Sequence, residues 1–364
     1  MRLSPTLSFY VGRQFLLSFL GVFVGLMTVV FLFDLIELLR RAATLPAATL
    51  GMVIRLSLLK QPKLAQEMIP FVVLFSAMIA FFRLARTQEL TVVRAAGVSV
   101  WQFLLPVVTG VLIIGAFTLA VINPVSAVLY ARYEQLEAQI FRGQSSMMAV
   151  SSAGVWLRQA DGVTNSVVHA SRVNPATIEL QDVMIFTFEG EDKFIGRIDA
   201  GSAELKTGYW LIHNASVMTP GQVPHLEAEY ELPTEMTRER ILDGFGSPET
   251  ISFWDLPAFI RALEAAGFSA TRHRLYLHRS IAGPLLLFAM VLIAATFSLR
   301  PPRRGGAIRL MIGGIASGFL LFFLSNLVAA LGQAGSIPVS LAAWAPAVVS
   351  ALLGTTMLLH LEDG

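Results

Sequence analysis

Cysteine is absent from the 364 residues, which removes disulfides, thiol nucleophiles and thiolate metal sites together. Lysine is almost absent: Lys60, Lys63, Lys193 and Lys206 are the full set, and none follows a glycine within a Gly-Lys-Ser/Thr loop. No phosphate-cradling nucleotide motif is therefore present, and a pump built on this chain would draw its energy from a partner or an ion gradient. Charge of either sign is scarce. Charged residues make up 14% of the chain against 55% hydrophobic, with a mean hydropathy of +0.65, far outside the norm for soluble globular proteins. His169, His213 and His225 are scattered without ligand-like spacing. Neither a metal, a cofactor nor a nucleic-acid partner is expected.

What the chain has in abundance is long apolar runs. A helix needs about 20 predominantly apolar residues to cross the hydrocarbon. Windows near residues 12–37, 66–85, 99–128, 277–299, 310–332 and 341–360 meet or approach that length. The first is too long for a signal-peptide core and lacks a convincing cleavage site, so it reads as retained. Between the third and fourth spans the hydropathy collapses. Period-two alternation takes over in "VWLRQ", "SVVHASRV", "TIELQDVMIFTFE", "KFIGRIDA", "SAELKTG", "YWLIHNASVMT" and "HLEAEYELP", separated by turn signals such as "VNPA" and "TPGQVP". Strands at this spacing predict a sandwich, an open barrel or a jelly roll. An amphipathic helix, "LPAFIRALEAAG", follows, with a capping-box pattern at Ser252 and Asp255 and Gly267 as its stop. The fold class is thus a membrane α-helical protein of six spans with one inserted β-domain.

Arginine placement orients it. Arg2, Arg13, Arg83, Arg86, Arg94, Arg300, Arg303, Arg304 and Arg309 fall on one side of a six-span chain. The positive-inside rule puts that side, and both termini, in the cytoplasm and the β-domain outside, which in a bacterium is the periplasm. The loop "GQAGSIPVS" carries no Lys or Arg, as an outer loop should. A second basic group runs against the rule: Arg40, Arg41, Arg55, Lys60 and Lys63 after the first span, and Arg272, Arg274 and Arg279 where the fourth begins. These either snorkel to the headgroups or hold an anionic ligand at the outer face.

Ionisable residues within spans are costly and are functional candidates. Asp34 and Glu37 share a helix face, and Glu37 stands four residues before Arg41, a favourable orientation for an ion pair. These carboxylates either neutralise the neighbouring arginines or line a polar cavity with Arg40 and Arg41. Glu67 begins the second span, close to Pro70. Ser325 and Asn326 are placed to hydrogen-bond a neighbouring helix, and "GGIASGFLL" is a small-residue face suited to close packing. Between the second and third spans, "ARTQELTVVRAAGVS" predicts a short amphipathic helix. Leu90, Val93 and Val92 form its apolar strip, Glu89 and Arg94 face elsewhere, and Gly97 ends it. Such a helix lies on the membrane or docks in a groove of a soluble partner.

The stretch "LLKQPKLAQEMIPFVVLFSAMIAFFRLARTQELTVVRAAGVS", with Glu89, Leu90, Val92, Val93, Ala96 and Gly97 at matching positions, resembles the lipopolysaccharide export permease family, LptF and LptG. "GVWLRQADG" is similar to that family's first periplasmic strand, and the resemblance, closer to LptG, covers nearly the whole chain. It implies an ABC-transporter permease subunit of the bacterial inner membrane without catalysis of its own. The expected partners are an LptF-type permease, an LptB-type ATPase dimer and an LptC-type protein. Residues 1–133 would hold three spans with a coupling helix at about 86–97. Residues 134–270 would hold a periplasmic β-jellyroll and return helix, and 271–364 three further spans. Glu89, Leu90, Val93 and Arg94 would couple to the ATPase. Arg40, Arg41, Asp34, Glu37, Arg274 and Arg279 would line a cavity for the lipid A phosphates, for which arginine is a bidentate partner. One departure stands out: Asp34 is an acid where LptG-like chains can carry a lysine. The alternatives are the LptF-type paralogue, and a membrane-anchored scaffold with no transported substrate. An intramembrane hydrolase lacks a His/Glu or Ser/Lys arrangement to support it.

Overall fold

Six of the helices are long and apolar enough to cross a membrane, and each exceeds the apolar window that announces it. The computed structural model describes residues 5–43, 49–95, 97–142, 148–151, 154–160, 164–174, 179–189, 193–221, 223–234, 236–237, 247–265, 268–299 and 307–363. Arg2, Ala96, Gly267, Arg300, Arg303 and Arg304, named above, lie outside these residues. The helices are α1 (Pro5–Ala42), α2 (Leu50–Arg86), α3 (Glu89–Ala95), α4 (Val100–Phe117) and α5 (Asn123–Glu137) before the β-domain. After it come α6 (Leu256–Ala265), α7 (Thr271–Ser298), α8 (Ala307–Gln333) and α9 (Val339–Asp363).

The chain divides into two compact units, Met1–Phe141 with Arg274–Gly364, and Arg142–His273. The first division falls a few residues beyond 133/134. The third span does not stop where its hydropathy falls: α4 runs through a π turn, Thr118–Ile122, into α5 and a second π turn, Ala138–Arg142. One continuous helix therefore spends its first half among apolar residues and its second half carrying Tyr130, Tyr133 and Glu137.

The helical unit is built around α2. Val72, Val73, Leu74, Ala77, Ala80 and Phe81 are all at most 1% exposed, as a span surrounded by other helices requires. Val11 and Phe15 of α1, Phe103, Leu104 and Val107 of α4, and Met290, Val291 and Leu292 of α7 close around it. On α8 the small residues serve close approach: a Cβ at Gly318 would lie 2.2 Å from Leu74 Cδ2, and one at Gly314 2.6 Å from Met78 Cε. Without a hydrophobic drive between helices in lipid, such fitted van der Waals contact is what holds spans together. Arg279 of α7 donates to Asn326 Oδ1 of α8 at 3.1 Å, and Asn123 of α5 donates to Tyr276 of α7 at 2.9 Å and Gln66 of α2 at 3.3 Å.

The β unit is one antiparallel sheet of seven strands in sequential order: β1 (Met148–Ser151), β2 (Gly154–Ala160), β3 (Thr164–Asn174), β4 (Glu179–Glu189), β5 (Lys193–Lys206), β6 (Tyr209–Met218) and β7 (His225–Pro233). "KFIGRIDA" and "SAELKTG", which read as two strands, are one. The interruption is a crease that crosses the sheet. Asp182 on β4 and Asn214 on β6 take φ of 52° and 55°, and Gly201 of β5 lies between them in register. On each of β3 to β6 the buried face changes parity there: Val168 and Ala170 give way to Val173, Leu180 to Val183 and Ile185, Ile198 to Ala203, and Trp210 and Ile212 to Ala215. A residue outside the extended region reverses the alternation beyond it, so each strand presents one buried side before the crease and the opposite pleat after it. Asp and Asn are among the few non-glycine residues that tolerate this conformation.

The sheet also curls. Gln159 Oε1 on β2 accepts from Trp210 Nε1 of β6 at 3.1 Å and from Thr234 Oγ1, just past β7, at 2.6 Å. β2 and β6 are not sheet neighbours, so this buried triad bridges the inside of the curl and satisfies the polar atoms that burial would otherwise penalise. Before α6, Ser252 Oγ accepts from Trp254 N at 3.3 Å, which makes it the lock of a turn rather than the cap of the helix. The helix N-terminal to Gly267 is otherwise as read, ending at Ala265.

Candidate functional site

Basic side chains at the end of α1, where the chain turns into α2, form a row. Asp34, Glu37, Arg40 and Arg41 lie on the last turns of α1, and Ser57, Lys60, Lys63 and Glu67 face them or follow on α2. The third rail is the polar half of the long third helix, which sequence reading left out. Leu38, Ala42, Val53, Leu56 and Tyr133 form the small buried cluster that holds the three helices together beneath the charges.

Each cation in the row meets a carboxylate. Lys60 Nζ lies 2.7 Å from Asp34 Oδ1, and Ser57 Oγ donates to Oδ2 of the same carboxylate at 2.8 Å. Arg41 reaches Glu137 on α5 at 2.9 Å, Arg40 forms a two-pronged pair with Glu37, and Lys63 pairs with Glu67 at 3.2 Å. The expected Glu37–Arg41 pair is replaced by Glu37–Arg40. Arg41 is drawn instead to α5, where Glu137 accepts it and the Phe141 ring lies 4.6 Å from its Cζ. Lys63 Nζ stands 4.7 Å above Tyr130 and Lys60 Nζ 5.6 Å from Tyr133, and these two rings stack at 5.4 Å. Cation–π attraction strengthens when the cation is drawn out of water, so the aromatic rail favours the partly buried lysines most.

The pairs differ sharply in burial. The Asp34 side chain is 8% exposed and that of Lys60 25%, whereas Arg40 and Glu37 are 76% and 51% exposed. An exposed pair contributes about 0–1 kcal/mol and opens cheaply, while breaking one side of a buried pair costs about 3–5 kcal/mol. Asp34 and Lys60 are therefore the pin between α1 and α2, and Arg40–Glu37 is the pair that opens at least cost. Two more exposed arginines, Arg55 and Arg132, line a cavity of about 250 Å³ with Leu59, Gln135, Leu136 and Gln139, and make no ion pair among the described residues.

Arg274 and Arg279 lie on α7, not on the three helices that carry the row. Arg279 is turned to Asn326, so helix packing accounts for it, and Arg274 is exposed on the first turn. At the other end of α2, the short helix α3 is present with Glu89 in its first turn and Gly97, at φ 80°, beyond its end. Val93 is turned inward against the core of the helical unit, and Val92, 69% exposed, points out, so the two do not form one strip. The side chains of Leu90 and Arg94 lie outside the described residues.

A six-span helical bundle with one inserted β-domain, a charged row where its first two spans meet and a short helix between its second and third, defines a polytopic permease-like membrane protein. The model of the family described as "Lipopolysaccharide export system permease LptF/LptG" matches residues 9–360, and the chain belongs to that family. It is 26% identical over 364 aligned positions to the lipopolysaccharide export system permease protein LptG of Haemophilus influenzae, covering 94% of this chain and 95% of the relative. It is 24% identical over 310 positions to the LptG proteins of Escherichia coli K12 and O6:H1, covering 84% of each chain.

Proposed function

We propose that this chain is the LptG-type permease subunit of a lipopolysaccharide exporter in the bacterial inner membrane, with its termini in the cytoplasm and its β-domain in the periplasm. The observation that carries the reading is the family match across both helical halves and the inserted sheet. The named relatives favour the LptG type over the LptF paralogue. An LptF-type subunit would complete the permease, an LptB-type ATPase dimer would supply the energy, and an LptC-type protein would receive lipid from the β-domain. Domain limits of 1–133, 134–270 and 271–364 describe its working parts.

The charged row supports anion handling in a particular way. Arg40, Arg41, Lys60 and Lys63 are balanced by Glu37, Glu137, Asp34 and Glu67. A lipid phosphate would first displace Glu37 from Arg40, the most exposed pair, and then compete with Glu137 for Arg41. Asp34 and Lys60 would stay closed beneath. Arg55 and Arg132, with amide donors beside them, would offer a second anionic contact without any displacement. Arg274 is a peripheral contact, and Arg279 a packing residue.

On the opposite face α3 would dock the ATPase, with Glu89, Leu90, Val93 and Arg94 as its coupling residues and the exposed Val92 beside them. Reconstitution with candidate ATPase and LptF-type subunits tests the whole. Arg40→Ala/Arg41→Ala is expected to lower lipopolysaccharide crosslinking about tenfold, the loss expected for charged hydrogen bonds, and to leave assembly intact. A wild-type chain that never assembles with an ATPase would return a scaffold to first place.

A further inference from the structure

Arg55 and Arg132 take no part in the pairing of the charged row. Arg55 stands two residues before Ser57 on α2, and Arg132 one residue before Tyr133 on α5. Neighbours at such spacings leave a helix on different sides, so neither arginine shares the face that meets Asp34 or carries the stacked tyrosines. They converge instead on a groove between α2 and α5 that no residue of α1 lines. Leu59 and Leu136 belong to the groove and pack against the buried cluster of the three helices, while Gln135 and Gln139 supply amide donors. Its volume, about 250 Å³, has room for one phosphate headgroup. Both arginines are exposed, and no hydrogen bond or ion pair holds either among the described residues. Two like charges brought to one groove repel, and an anion between them removes that cost.

Toward the N-terminus of the third span, the side that carries Arg132 is apolar. Val128, Val125, Val121 and Phe117 precede it three or four residues apart, and each is 45–56% exposed. From Val121 to Arg132 the helix rises about 16 Å, against about 15 Å for the hydrocarbon of one leaflet. An apolar stripe alone is the ordinary lipid-facing side of a span. This one ends on two arginines from two helices, at the level where a phosphate lies when an acyl chain follows the stripe.

The geometry points to a binding site for a bilayer phospholipid with an anionic headgroup. Arg55 and Arg132 clasp its phosphate, Gln135 and Gln139 donate to further oxygens, and the stripe from Val128 to Phe117 carries an acyl chain. No carboxylate lines the groove to receive an amine, which selects an anionic headgroup over a zwitterionic one. The row and the groove open on different sides of α2 and α5, so one headgroup does not fill both. The bound phospholipid is a resident clamp between these helices. It holds α5, which carries Glu137, Tyr130 and Tyr133, in register with Arg41, Lys63 and Lys60. Assignment to the outer leaflet rests on the orientation proposed above, and the site itself on the groove and stripe.

The test is native mass spectrometry of the full chain with its co-purified subunits, titrated in detergent with dioleoylphosphatidylglycerol or dioleoylphosphatidylcholine. Phosphatidylglycerol is expected to fill one site about tenfold more tightly than phosphatidylcholine. Arg55→Gln/Arg132→Gln should abolish that preference, yet unfold at the wild-type temperature without added lipid, since both side chains are exposed. Arg40→Ala/Arg41→Ala should keep it. Equal affinity for the two phospholipids, or a preference that survives Arg55→Gln/Arg132→Gln, would overturn the proposal. So would displacement of phosphatidylglycerol by equimolar lipopolysaccharide, or its loss in Arg40→Ala/Arg41→Ala, because the groove would then be part of the row. If phosphatidylglycerol binds as expected and lipopolysaccharide crosslinks nowhere on the wild-type complex, the permease reading fails and this site stands.

Discussion

Asp34, Glu37, Glu67 and Glu137 have the same charge and lie within one small region, but their burial gives them different work. The Asp34 carboxylate is nearly enclosed and carries two short bonds, to Lys60 and Ser57. Removing it would strand a cation that is itself three-quarters buried. Asp34→Ala is expected to destabilise the helical unit by about 3 kcal/mol, read from thermal unfolding in detergent. Asp34→Lys would be worse, since it sets a second ammonium against Lys60, while Asp34→Lys/Lys60→Asp should recover most of the loss by restoring the pair in reverse. A double swap no better than Asp34→Lys would show that the site needs the acid on α1 for another reason. Glu37→Gln, by contrast, opens an exposed pair and should leave thermal unfolding in the same assay unchanged.

At the scale of elements, α2 and α8 meet through glycines in a way that tolerates no side chain. Gly318 faces Leu74 and Gly314 faces Met78, both at distances a Cβ could not share. Gly318→Leu should force the helices apart and cost about 1–3 kcal/mol, whereas Gly21→Leu on α1, where a Cβ would meet nothing within 4 Å, should be silent in the same unfolding assay. The β-domain shows the complementary device. Its crease is made by single residues, Asp182, Gly201 and Asn214, aligned across three strands. In one strand, a switch of buried parity looks like a strand end, as it did at Gly201. Aligned over four strands it bends the sheet without ending it, and gives the curl that Gln159, Trp210 and Thr234 close.

For the whole molecule, the proposed orientation sets the short helix and the charged row on opposite faces of the membrane, joined by α2. The absence of native cysteine makes this directly measurable. Ser336, in the exposed turn between α8 and α9, and Val92, on the outer side of α3, are free surface positions on opposite sides in that orientation. In spheroplasts, a membrane-impermeant maleimide should label Ser336→Cys and spare Val92→Cys, and inverted vesicles should give the reverse. Labelling of both from one side would refute the six-span topology, and a clean exchange would support cytoplasmic termini and a periplasmic β-domain.

The number of spans and their order around a β-domain were legible in the chain, and the family was legible by resemblance. Spans and strands follow from local composition: twenty apolar residues in a row have few other fates, and period-two alternation marks a strand wherever it lies. The partners of the charges were not legible. Arg41 could be matched to Glu37 by helical spacing, but Glu137, almost a hundred residues on, took it because the third span continues as a helix after its hydropathy has ended. The same holds for the inward turn of Val93 and the crease through Gly201. Pattern along the chain settles which segments seek apolar surroundings. Which carboxylate meets which cation depends on distances between helices, and those exist only once the bundle has packed.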